Sequence, residues 1–127
     1  LLSGCFNNES DEKKIISITQ TTEKYFNAKI IRDPEEVMSF WDNDSDQYYE
    51  YYTSLLSQFE QNKYDYVVNE ISFKDLQKDH ATIETLVSVS GTNSNKEYDE
   101  FRVLYTLTFN KNDENWRITK LERKYDL

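Results

Sequence analysis

The sequence predicts an α+β domain, with three N-terminal helices packed on a curved four-stranded antiparallel sheet that closes toward a cone. Three observations predict it. Apolar residues recur at helical spacing from 12 to 31, two acid-led helix starts follow at Asp33 and Asp44, and after Asn62 the apolar period falls from near 3.6 to 2. Helices grouped on one face of such a sheet bury both apolar surfaces in a single core.

In the first helix Ile15, Ile18, Thr22, Tyr25, Phe26 and Ile30 fall on one stripe. Asp33-Pro34-Glu35-Glu36 places an N-cap acid, a proline at the first helical position and a glutamate at the third. The short helix it opens carries Val37, Met38, Phe40 and Trp41. Asp44-Ser45-Asp46-Gln47 opens the third, with Tyr48, Tyr52, Leu55, Leu56 and Phe59 sharing its buried face. Residues 64–76 read as the first strand, with Ile71 and Phe73 inward. Residues 80–90 alternate Ala81, Ile83, Thr85, Val87 and Val89 against polar neighbours. Gly91 to Lys96 is a polar turn. Phe101, Val103, Tyr105, Leu107 and Phe109 form the clearest strand, and Asn110 to Asn115 a second loop. Trp116, Ile118 and Leu121 carry the last strand, and the parity change before Leu121 predicts a bulge.

Composition narrows the function classes. At 127 residues with one proline, two glycines and one cysteine, the chain supports one domain stabilised by packing rather than by disulfides. A net charge of −9 argues against nucleic-acid binding, which needs a basic surface to displace phosphate counterions. The acidic excess lies mostly in the first half and reads as a solubilising face, whereas Arg117, Lys120, Arg123 and Lys124 make the end locally basic. Abundant Asn, Lys, Ile and Tyr suggest an AT-rich bacterial genome.

Leu2-Ser3-Gly4-Cys5 reads as the end of a bacterial lipoprotein leader, where small residues precede a thiol that is acylated. On this reading residues 1–4 are a signal-peptide remnant, and 5–12 are the lipidated Cys5 with a polar tether. Residues 13–127 are then one domain. The expected address is the extracytoplasmic face of a cell membrane, in a Gram-positive bacterium, held by lipid. No apolar run approaches the ~20 residues that span a bilayer.

Tyr25-Phe26-Asn27-Ala28, Asp33-Pro34-Glu35-Glu36-Val37 and Phe40-Trp41 carry a family resemblance. Asp79-His80-Ala81-Thr82-Ile83 and Trp116-Arg117-Ile118 followed by Leu121 join them. Over residues 13–125 the chain resembles the nuclear transport factor 2-like (cystatin-like α+β) superfamily. The resemblance implies a cone whose open end is a natural pocket. Many members place a short strand between the second and third helices, where this chain has only acidic residues from Asp42 to Asp46. The superfamily includes enzymes, adaptors, secretion components and lipoproteins, so the fold does not name a function.

Candidate chemistry is sparse. Asp79 and His80 are similar to the acid and imidazole groups of SnoaL-like cyclases and ketosteroid isomerases, but a histidine opening a strand beside a turn reads as exposed. Asp42, Asp44 and Asp46 match the first acidic positions of a calcium loop. Gln47 and Thr53 then stand where its glycine and bidentate glutamate belong. Asn8-Glu9-Ser10 and Asn43-Asp44-Ser45 fit a glycosylation pattern by coincidence. Of Tyr48, Tyr49, Tyr51 and Tyr52, the first and last lie on the core stripe, leaving Tyr49 and Tyr51 as exposed aromatics suited to an interface. The candidate binding residues are Tyr49, Tyr51, Tyr105 and Trp116; Trp116 also reads, with Trp41, as a core anchor. No catalytic residue, metal site or cofactor is expected. The leading expectation is a membrane-anchored, non-catalytic domain that binds a protein partner or a small apolar ligand. One form of it is an accessory subunit of a conjugation or secretion apparatus. The alternative is a small SnoaL-like isomerase or hydrolyase with an acid–base residue in a cavity.

Overall fold

The computed structural model describes residues 10–93 and 96–126. Cys5, the leader remnant at 1–4 and most of the expected tether lie outside the described residues. Ser10 is the N-cap of α1 (Asp11–Ile31), its hydroxyl accepting the Lys13 amide at 3.2 Å. The tether's expected last residues, Asp11 and Glu12, therefore belong to the first helical turn, where negative charge suits the helix dipole. Arg32 ends α1 in the left-handed conformation, φ 64°, and its amide donates to the Ala28 and Lys29 carbonyls. The Arg32 guanidinium donates to the carbonyl of Phe59. Asp33 then caps α2 (Pro34–Ser39) by accepting the Glu36 amide at 3.2 Å.

Between α2 and α3 the backbone lies against the last strand. Ile118 donates to the Phe40 carbonyl and Asp42 to the Ile118 carbonyl, both at 2.8 Å, giving a parallel bridge at Trp41. This single bridge stands where the sequence shows only an acidic loop. The third helix, α3 (Tyr48–Gln61), starts later than the Asp44 cap predicts. Ser45 instead donates to the Thr119 carbonyl, and the Gln47 side chain accepts the Leu121 amide at 3.0 Å. The would-be capping groups are thus used to hold the turn on the sheet.

The four strands β1 (Asn62–Leu76), β2 (His80–Asn93), β3 (Lys96–Asn112) and β4 (Asn115–Asp126) form an antiparallel meander in chain order. The β2–β3 turn is tighter than the polar run from Gly91 to Lys96 suggests, because Asn93 already pairs with Lys96. The bulge expected before Leu121 is present: Thr108 faces Lys120 while Phe109 faces Ile118, leaving Thr119 as the extra residue. Further register shifts fall at Val68/Glu70, Phe73/Asp75 and Val89/Gly91, and each bends its strand locally. The core lies between helices and sheet. Ile18, Tyr25 and Phe26 of α1 and Leu55 of α3 meet Ile83, Val87, Val103, Leu107, Phe109 and Ile118, all essentially without solvent contact.

Gly91 sits beside the Val89/Gly91 shift with φ 155°, and a Cβ there would collide with the Lys63 carbonyl and the Tyr64 backbone. Neither strand can yield without breaking the β1–β2 ladder. Gly91→Ala is expected to cost roughly 1–3 kcal/mol. Urea unfolding checks this, and a midpoint equal to that of the parent would contradict the close approach.

Candidate functional site

A charged residue on an apolar stripe is the first sign of the site. Ile18, Thr22, Tyr25 or Phe26, and Lys29 recur at intervals of three or four, so Lys29 is carried by α1 straight into the core. It is 5 % exposed. Its Nζ lies 4.6 Å from the Tyr66 ring centre, 5.7 Å from Tyr25, 5.8 Å from Phe26 and 5.9 Å from Tyr105. Phe26 in turn packs against Tyr66 at 5.6 Å and Tyr105 at 5.4 Å. Among the described residues Lys29 has no ion pair. Ring faces attract a cation, but four rings replace water only in part. Burial, reinforced by the charge of Arg123, pushes the Lys29 ammonium down to about 7.

The phenols around it form a connected group. Tyr25 and Tyr51 hydrogen-bond through their hydroxyls, and Gln58 donates to the Tyr66 hydroxyl at 3.2 Å. Tyr51 also stacks on Trp41, with ring centres 4.5 Å apart and planes 19° from parallel. Burial is the main cause pushing Tyr25, Tyr51, Tyr66 and Tyr105 up, so all four remain neutral donors at physiological pH. The site is an amine poised between charge states inside a wall of un-ionised phenols.

Of the expected binding residues, the structure brings Tyr51 and Tyr105 to this cluster. Tyr51 is not the exposed aromatic that helical spacing suggests; the hydroxyl bond to Tyr25 and the Trp41 stack turn it inward. The same rotation of α3 leaves Leu56 43 % exposed instead of on the buried face. Tyr49 is 78 % exposed, edge-on to Tyr48 at 5.4 Å. Trp116 is buried away from both, beside Ile118, with its indole N–H unpartnered among the described residues. Cys5 lies outside the described residues. Lys29 was not singled out by its residue type; the signal that finds it is its place on the stripe.

The acid–base candidates lie elsewhere. His80 keeps 42 % of its side chain exposed, with Nδ1 3.1 Å from Asn110 Oδ1 and Nε2 3.9 Å from Asp75 Oδ2. Asp79 is exposed and serves through its carbonyl, which accepts the Lys111 amide. Asp42 is buried because its carboxylate accepts the Asp44 amide and the Asn112 side chain, both at 2.9 Å. Asp44 and Asp46 point outward. The one buried carboxylate of this trio thus fastens a loop.

The Lys29 cage has a signature in stability. A lysine whose folded-state pKa is depressed binds fewer protons folded than unfolded, so stability rises with pH from about 7 to about 10. The raised phenols act oppositely: their contribution is present below about pH 10 and is lost above it. Urea unfolding at a series of pH values should show a maximum at about pH 9–10. Lys29→Met should flatten the rising limb and stabilise the domain at neutral pH, on the order of 1–3 kcal/mol. A parent profile that is level from neutral to alkaline pH would refute the uncompensated amine.

The arrangement of three helices on a four-stranded antiparallel sheet is the fold of NTF2-like, or cystatin-like, proteins. A provisionally named dehydratase from the NTF2-like family of Streptomyces avermitilis superposes with a TM-score of 0.79 at 10 % identity, covering 90 % of this chain and 96 % of that one. A cystatin-like-fold protein of unknown function from Nostoc punctiforme gives 0.73 at 11 % identity over 91 % and 92 %. A hexachlorocyclohexane dehydrochlorinase gives 0.72 at 13 % identity over 93 % and 92 %. At such identities the likeness concerns the fold alone. No functionally curated protein is significantly similar in sequence. The profile of one family does match, from residue 23 to residue 125, and by that match the chain belongs to the family of the anti-sigma-I factor RsgI9 C-terminal domain.

Proposed function

We propose that this chain is a non-catalytic recognition domain, held at the extracytoplasmic face of a bacterial membrane by a lipid on Cys5. Its partner is a protein that docks on the outer face of α3. The observation that carries the reading is how the interior is filled. Rings close around Lys29, which lines none of the best-formed surface depressions, and among the described residues no carboxylate or imidazole faces it. The SnoaL-like alternative needs a base with room for a substrate beside it. His80 and Asp79 instead stand on a surface hairpin end.

The outer face of α3 supplies what a partner could grip. Tyr49 and Leu56 are two turns apart on one side of the helix, with Tyr52 half-buried between them. Asp46, Glu50 and Glu60 surround this apolar strip with negative charge. The complementary surface is an apolar groove rimmed by lysine or arginine, which gains orientation and speed from the charge and affinity from the tyrosine. The family's named member is an anti-sigma-I factor, a regulator by that name, and a recognition role agrees with it. A lipid tether would raise the local concentration of a modest binder at the membrane.

A photoreactive amino acid at position 49, in the full-length protein in its host, should give one discrete protein adduct, whereas the same probe at His80 gives none. Tyr49→Ala combined with Leu56→Ala should remove the complex while changing stability by less than about 1 kcal/mol. Asp79→Ala with His80→Ala should leave the cellular role intact; its loss would instead support catalysis. Labelled fatty acid should incorporate through Cys5 and vanish in Cys5→Ser. Absence of label in the parent would refute the lipid tether.

A further inference from the structure

We propose that the depression between the C-terminal half of α3, the start of β1 and β4 binds a small hydroxy-carboxylic acid, with Arg123 as its anchor. The depression has a volume of about 400 Å³ and is lined by Ser54, Ser57, Gln58, Gln61, Asn62, Tyr64 and Arg123. Among the described residues no carboxylate lines it, in a chain of net charge −9. Arg123 is exposed and, among the described residues, makes no ion pair; its guanidinium carbon stands 5.9 Å from the Phe101 ring centre. Arg123 pairs in register with Tyr105, whose ring helps to enclose Lys29. Two cations therefore lie within each other's field, one buried and one at the rim, with no anion between them among the described residues. A carboxylate on the rim cation lowers the energy of both.

The walls select what accompanies the carboxylate. Two serines, two glutamines and an asparagine offer donors and acceptors at close spacing. Asn62, which joins α3 to β1 in this wall, has an Oδ1 without a hydrogen-bond partner among the described residues. A simple apolar acid would displace water from these groups without replacing its hydrogen bonds, and a neutral polyol would leave Arg123 uncompensated. A polyhydroxy acid meets both requirements.

Occupation has a consequence inside the domain. Among the described residues, the charged and titratable groups facing Lys29 are Tyr25 of α1, Tyr66 of β1, Tyr105 of β3 and Arg123 of β4, with Tyr51 of α3 behind Tyr25. All the phenols are neutral, so Arg123 is the one neighbour whose field an anion can cancel. Binding then draws a proton onto Lys29. This site lies on the flank of α3 away from Tyr49 and is independent of the partner-docking reading.

Calorimetric titration of the full chain with gluconate tests it, against sorbitol, which lacks the carboxylate, and acetate, which lacks the hydroxyls. Gluconate should bind saturably, acetate at least about tenfold more weakly, and sorbitol not at all. Arg123→Gln should weaken gluconate at least about tenfold. In two buffers of unequal ionisation enthalpy at about pH 8, the parent should take up a proton fraction on binding, whereas Lys29→Met binds without uptake. Three results would overturn the proposal: no saturable gluconate binding by the parent, gluconate binding that survives Arg123→Gln, or acetate matching gluconate. Proton uptake that persists in Lys29→Met would overturn the linkage.

Discussion

The constraint around which the rest of this structure is arranged is a lysine amine enclosed by aromatic faces, with no counter-ion among the described residues. Four elements contribute to that enclosure. The first helix supplies Lys29 with Tyr25 and Phe26, the first and third strands supply Tyr66 and Tyr105, and α3 supplies Tyr51, which ties Tyr25 in place. Ring faces attract a buried cation by roughly 2 kcal/mol or more. The loss of hydration is larger, so the balance is met by surrendering the proton part of the time. A hydrophobic residue in that position would pack with less conflict. Conflicts of this kind between local pattern and global fold concentrate at functional sites, and that is why the cage, rather than the lone histidine, marks the interior worth testing.

The same enclosure explains how α3 is set. Viewed as an isolated amphipathic helix it would present Tyr48, Tyr52, Leu55, Leu56 and Phe59 to the core. In the structure Leu55 alone of these is fully buried, and Tyr51 has replaced Leu56 at the interface. Hydrophobic spacing favours a broad face without choosing its centre. The hydroxyl bond to Tyr25 and the stack on Trp41 choose it, and both partners lie outside α3. The exposed strip of Tyr49 and Leu56 follows from that rotation.

Much of the architecture was legible because it is specified locally. The Asp33-Pro34 start, the alternation along β2 and β3, and the bulge at Thr119 all follow from short-range pattern and are present. What was not legible depends on pairing between distant segments. Ser45 and Gln47 have the chemistry of helix caps, yet their side chains are engaged by Thr119 and Leu121, some seventy residues on. The Trp41–Ile118 bridge likewise has no local cue, since an acidic loop carries no strand alternation. Lys29 is an intermediate case: its burial is implied by position on the stripe, but residue type alone assigns a lysine to solvent.

Sharing a fold with dehydratases and a dehydrochlorinase transmits no chemistry, because the fold fixes only where side chains converge. In this chain the converging groups are phenols and an amine, not a carboxylate or an imidazole. A lysine amine near neutrality could serve as a base, but a base must touch the atom it deprotonates. Here ring faces already occupy the space about Nζ, so a substrate could reach it only by displacing Tyr66, whose hydroxyl is held by Gln58, or Tyr25, whose hydroxyl is held by Tyr51. Electrostatic influence has no such contact requirement. A charge arriving near Arg123 alters the field at Lys29 without moving a ring, and a proton responds where a substrate could not enter. On the reading proposed above, the interior of this domain registers binding at its rim rather than transforming what binds.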